Sequence, residues 1–153
     1  MNKHAMRLMV VSILAGSVAL TAQTAQRQLP TPAAPARAVA GIRTVATVKQ
    51  LMHAIIIPSS DALFKAAGDP PSNDAGWTVA QLQALAVAEG ANLLMLGNRP
   101  VDRAEWMLMS RAMLDAASQA ASAAEKKNAT ALSAAGDQVY ETCEACHAKY
   151  QKK

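Results

Sequence analysis

Between Trp106 and Ala124, the residues Trp106, Met109, Met113, Ala116, Ala120 and Ala124 recur at spacings of three and four. That is the period of one face of an α-helix, not the alternation of a strand. A long apolar stripe built largely from alanine needs other helices to cover it, and the rest of the chain supplies material for them. Apolar residues make up 52% of the sequence and aromatics only 3%. The apolar content is mostly Ala, Leu, Met and Val. Ala and Leu are the best helix formers, and strand-favouring residues are scarce. An all-α fold is expected. At 153 residues the chain can bury one sizeable core but is too short for two ordinary domains.

The N-terminus carries Lys3, His4 and Arg7, then an apolar run from Leu8 to Leu20 and small polar residues, the layout of a secretory signal peptide. Residues 1–25 are read as that signal, with cleavage between Ala19 and Ala25. The run is short for a membrane span, which takes about 20 apolar residues, so no membrane anchor is expected after cleavage. Loss of Lys3 and Arg7 lowers the formal net charge of +4 by two, and the remaining charges read as a solvated surface, not a nucleic-acid site. Residues 26–43, with Pro30, Pro32 and Pro35 and no apolar period, read as a Pro/Ala-rich linker. The folded domain is expected over 44–153.

Within that domain the spacing predicts four helices. The first runs from Thr44 to Ala67 and should kink or restart near Ile57, because Pro58 lacks a backbone N–H and obstructs the preceding turn. Gly68, Pro70, Pro71 and Gly76 form the next loop. Thr78 and Gln81 read as a capping box, with Trp77 packing on Leu82 as a staple, and place the second helix from there to about Leu96, ended by Gly97. Asp102 and Glu105 start the third helix, and Asn128 caps a fourth that aligns Leu132, Ala135, Val139, Cys143, Cys146 and Tyr150 roughly along one side. Short connections imply an antiparallel four-helix bundle.

The fourth helix carries Cys143-Glu144-Ala145-Cys146-His147, the C-x-x-C-H pattern of covalent haem attachment. Residues three apart share a helix face, so two thiols can meet two vinyl groups of one porphyrin, and the next residue, His147, is placed to ligate the iron. These are the only 2 cysteines, and a flat apolar cofactor would supply the volume that a core short of aromatic rings lacks. Other uses of the same residues remain. A disulfide between Cys143 and Cys146 would close a very small loop and contribute little. A thioredoxin-like pair wants a strand before its helix. A zinc site would need a fourth ligand from His53 or a carboxylate.

With this motif near the C-terminus, on the last of four Ala-rich helices, the chain resembles the class II cytochromes c, the family of the high-spin cytochromes c′ and their low-spin relatives. The resemblance spans residues 44–151 and is most specific at Cys143, Cys146 and His147. It implies a four-helix bundle holding one covalent haem c between helices, often as a homodimer. It also implies electron transfer with periplasmic redox proteins or, for cytochromes c′, binding of small gases. The family often has a basic residue four positions after the haem histidine; here Gln151 stands there, with Lys149 nearby. In low-spin members a first-helix Met is the second axial ligand, and Met52 stands at the matching place.

Met52 is one of 8 methionines, and Met in a helix is more often a filler of core gaps. Met95, Met107, Met109 and Met113 read as core. His53 is the rival ligand, turned about 100° from Met52 on a regular helix. Glu89 could pair with Arg99, Arg103 or Arg111, though solvation is the commoner fate of such a carboxylate. Lys49 or Arg43 could neutralise a propionate, and Tyr140 is expected against the haem or its rim. The expected function is single-electron transfer without catalysis, with His147 and Met52 on the iron. The alternatives are a five-coordinate protein binding nitric oxide or carbon monoxide, and a haem module docked to a larger redox enzyme.

Overall fold

A computed structural model of the protein describes residues 43–151. The signal peptide expected over 1–25, and all of the linker expected over 26–43 except Arg43, lie outside the described residues. The elements are α1 (Val48–Leu51), a π-helical stretch (Met52–Ile56), α2 (Ile57–Gly68), α3 (Asp74–Leu94), α4 (Glu105–Glu125) and α5 (Ala129–Tyr150). Leu51, Met52, Ile56 and Ile57 all keep right-handed helical backbone angles, so α1, the π-helical stretch and α2 form one continuous rod. The described residues thus fold as four helical rods packed on one another, with no strand.

The first rod begins at a capping box. Thr47 Oγ1 accepts from the Gln50 N–H at 3.2 Å, and the Thr47 N–H donates to Gln50 Oε1 at 2.9 Å, satisfying two donors that a helix start otherwise leaves open. Pro58 neither breaks nor ends this rod. The turn before it widens, so that the Ile57 N–H reaches back five residues to the Met52 carbonyl, and regular α-helix resumes at Ile57.

The second helix starts earlier than the Thr78/Gln81 signal predicts. Asn73 is the cap, its side chain accepting from the Gly76 N–H at 2.9 Å, and Thr78 already lies inside the helix, donating to the Asp74 carbonyl. The expected Trp77–Leu82 staple is not made: Trp77 is buried while Leu82 is 56% exposed. The buried face of α3 is instead Trp77, Ala80, Ala84, Val87, Ala88, Ala91 and Leu94, which leaves Val79, Leu82 and Leu85 outward. The helix ends at Leu94, two residues short of the expected Leu96.

The starts of α4 and α5 agree with the sequence reading. Asp102 Oδ1 accepts from the Glu105 and Trp106 N–H groups at 2.8 and 3.1 Å, and the Asn128 side chain accepts from the Ala131 N–H. Trp106, Met113, Ala116, Ala120 and Ala124 are buried, with Ala117, Ala121 and Ala123 beside them. On α5 the buried residues are Leu132, Ala135, Gly136 and Val139. Alanine faces let backbones approach closely, so α4 packs tightly against both α3 and α5.

Residues 95–104 form the longest connection, and Arg99 pins it. Its guanidinium donates to the Leu93 carbonyl at 2.7 Å and, through two nitrogens, to the Ala46 carbonyl at 3.2 and 3.1 Å. The Trp106 indole N–H closes the same corner on the Leu94 carbonyl at 2.9 Å. Leu132 is fully buried among these rods. Replacing it with Ala removes transfer energy and leaves a void, so Leu132→Ala should lower unfolding free energy by about 2–5 kcal/mol. Denaturant melts followed by circular dichroism measure this.

Candidate functional site

The rods do not fill the space between the first rod, α4 and the second half of α5. A cavity of about 150 Å³ lies there, lined by Met52, Ile56, Ile57, Ser60, Phe64, Leu94, Met109, Ser110, Met113, Tyr140, Thr142, Cys143, Cys146 and His147. A second cavity of about 490 Å³ opens beside it, lined by Val48, Lys49, Met52, His53, Ile57, Val101, Trp106, Cys146, His147, Tyr150 and Gln151. The two share Met52, Ile57, Cys146 and His147 and form an inner and an outer lobe of one cleft. The outer lobe alone falls in the range of roughly 300–1,000 Å³ usual for small-molecule and cofactor sites.

All four residues singled out for cofactor binding border this cleft. Cys143 and Cys146 lie on α5, one turn apart, as free thiols that are each partly buried. Burial pushes both thiols above their ordinary pKa, and for Cys143 the neighbouring Cys146 adds to the rise while a hydrogen bond with Thr142 opposes it. His147 is exposed and borders both lobes; Met52, from the first rod, also borders both and is half-buried. His53 is exposed and reaches only the outer lobe.

The inner lobe is apolar, and its two buried hydroxyl residues are Ser60 and Ser110. The Ser60 hydroxyl donates to the Ile57 carbonyl at 3.0 Å. Among the described residues no buried side-chain polar atom lacks a partner. Phe64 and Tyr140 close one side with their rings edge to face, centroids 6.1 Å apart. The Tyr140 hydroxyl donates to Glu144 Oε1 at 2.8 Å, and that bond is the main cause holding its pKa above the ordinary value.

The far end of α5 is strapped to the start of α4. The Tyr150 hydroxyl donates to Asp102 Oδ2 at 2.5 Å, its ring lies 5.0 Å from the Trp106 ring, and Lys149 pairs with Glu105. This strap was not legible in the sequence, where Asp102 reads only as a helix cap and Tyr150 only as one residue of a stripe. Lys149 is thus engaged at the α4 start. Glu89 is exposed, contacts the Asn92 amide and pairs with none of the three arginines. Among the described residues no three His, Cys, Asp or Glu side chains converge as a metal site of their own, and no helix is long and apolar enough to cross a membrane.

The donor set and the cavity fit a covalently held porphyrin. Two thiols one helical turn apart and an adjacent imidazole border a cleft whose inner lobe is apolar, with a thioether on another wall. No family model, curated protein or solved structure matches the chain.

The strap carries a pH signature. The Tyr150 hydroxyl first, then the Trp106 and Glu105 N–H groups, hold the Asp102 carboxyl below its ordinary pKa. A carboxylate whose folded pKa is depressed contributes stability above its unfolded pKa of about 3.9, and loses it as pH falls through the lower folded value. The melting temperature of wild type should therefore fall more steeply below about pH 4 than that of Asp102→Asn. Parallel curves for the two proteins would remove the strap's electrostatic role.

Proposed function

We propose that this protein is an exported c-type cytochrome of the class II kind, carrying single electrons through one haem c held by Cys143 and Cys146. His147 and Met52 would hold its iron. The observation that carries this reading is that Met52, at the start of the folded region, and His147, near its end, border the same apolar inner lobe as both thiols. Cys143 and Cys146 would hold the haem through thioether bonds from adjacent turns of α5. Bound there, its iron supplies one-electron redox chemistry, with a potential raised by Met/His ligation. Ile56, Leu94, Met109 and Met113 keep water from the inner lobe, and Phe64 and Tyr140 close its side. Lys49 borders the outer lobe and is a counter-charge for a propionate. The partners are periplasmic redox proteins, and no catalytic step is required.

The bundle is antiparallel in this reading, supported by contacts at its ends. Lys127, after α4, pairs with Asp74 at the start of α3 at 2.8 Å. The Trp106 indole, at the start of α4, meets the end of α3, and Tyr150, at the end of α5, meets Asp102 just before α4.

Two measurements test the reading. Acid–organic extraction should leave haem on the wild-type polypeptide and release all of it from the Cys143→Ala/Cys146→Ala protein; retention by the double variant defeats the attachment claim. Ferric wild type should be low-spin, with the near-infrared charge-transfer band of sulfur ligation. Met52→Ala should convert it to a high-spin form that binds carbon monoxide readily. A wild type that is already high-spin and binds carbon monoxide as fast as Met52→Ala would make the protein a gas binder. Loss of the low-spin spectrum in His53→Ala, with Met52→Ala unchanged, would select bis-histidine ligation.

A further inference from the structure

A π-helical turn holds one residue more than the α-helical turn it replaces. Residues on its far side therefore stand one step, about 100°, from where an unbroken α-helix would put them. The stretch Met52–Ile56 lies directly between α1 and α2. Counting back from α2, an unbroken α-helix would turn His53 into the direction that Met52 takes, and Met52 into that of the buried Leu51. In the structure Met52 borders both lobes of the cleft, while His53 is exposed and reaches only the outer one.

Two residues hold the wider turn. Pro58 offers no N–H, and its ring would press on the carbonyl four residues back in a regular α-helix; with the π turn before it, the Ile57 N–H is satisfied by Met52. Gly90 on α3 takes the side chain of Ile56, the last residue of the stretch: a Cβ at Gly90 would lie 2.6 Å from Ile56 Cγ1 and 3.3 Å from its Cδ1. Ile56 is 3% exposed, so its seat at Gly90 fixes the α2 side of the stretch. The start of the rod is held separately by the Arg99 guanidinium on the Ala46 carbonyl.

We propose that the π-helical stretch is a register device that presents Met52 to the cleft in place of His53, with Pro58 and Gly90 as its positioning residues. This rests on the reading of Met52 as the sulfur ligand and deepens it by naming what excludes the adjacent imidazole.

The test uses the haem-loaded protein and asks which residue faces the iron. Deleting the exposed Ala54 together with Pro58→Ala removes the extra residue, so α1 should join α2 as a regular helix with position 52 in its original direction. The low-spin fraction should then be fully retained. If the stretch sets no register, the same deletion turns position 52 away and the low-spin spectrum is lost. Repeating the deletion in a Met52→His/His53→Ala background gives a bis-imidazole reporter of position 52 that does not depend on sulfur ligation. In a second arm, Pro58→Ala and Arg99→Ala, which frees the start of the rod while Gly90 still seats Ile56, are added to Met52→Ala without any deletion. A regular helix should bring His53 to the iron, so this protein should gain a low-spin spectrum that Met52→Ala alone lacks and that His53→Ala abolishes. A high-spin deletion variant, one that no longer folds with haem, or a second arm that stays high-spin each overturns the proposal. A wild type without the sulfur band, combined with a histidine reporter that behaves as expected, instead rejects the ligand reading and keeps the register.

Discussion

The cleft depends on a change of side-chain size along α4 and α5. From Ala116 to Ala124 the buried face of α4 is made of alanine, and the buried residues of α5 are Leu132, Ala135, Gly136 and Val139, with Gly136 seated against Ala67 of α2. Small side chains let two helices come together until their backbones nearly touch, and the close-packed interior that results has little freedom to shift. Towards the other end the same helices carry Met109, Met113, Tyr140 and the thiols, while the first rod adds Met52, Ile56 and Phe64. Large side chains around a shared space hold the rods apart there. The cavity lies among the large side chains, and the chemically distinctive residues line it.

The cleft needs a firm frame, and hydrogen bonds at the bundle's ends supply it. Arg99 ties the 95–104 connection to both the first rod and the end of α3, and the Asp102–Tyr150 bond fastens the last turn of α5 beside the start of α4. These ties are specific because each guanidinium or carboxylate lobe meets backbone or hydroxyl groups in a fixed geometry. They hold the segment bearing His147 against one wall of the cleft while the capped first rod presents Met52 from another. Exposed ion pairs such as Lys127–Asp74 contribute little by comparison.

Local signals were legible where a single side chain decides the outcome. Asn128 and Asp102 cap the helices that follow them because an Asx oxygen reaches an N–H three or four residues ahead, an interaction contained within one turn. The start of α3 is less legible, because Asn73 and Thr78 are both competent caps and Gly76 between them looks like a loop residue. The choice falls to Asn73, which lets the buried Trp77 join the face of Ala80, Ala84 and Val87. The expected staple on Leu82 fails because hydrophobic residues do stand on protein surfaces; the buried face of α3 is built largely from smaller side chains whose value lies in close approach.

By itself the sequence determined the helical class, most caps and the placement of Cys143, Cys146 and His147 on adjoining positions of one helix, because each of these follows from interactions within a few residues. Tertiary structure alone decided that Met52 borders the same cleft as His147, that Pro58 widens a turn in place of breaking the rod, and that Tyr150 ties to Asp102. Each of those outcomes depends on what a distant segment offers: a bare backbone at Gly90, a carboxylate oxygen left free by a cap, a space that alanine seams elsewhere keep open. A sequence records such partners without recording that they meet, since contact between remote segments is set by how whole helices pack.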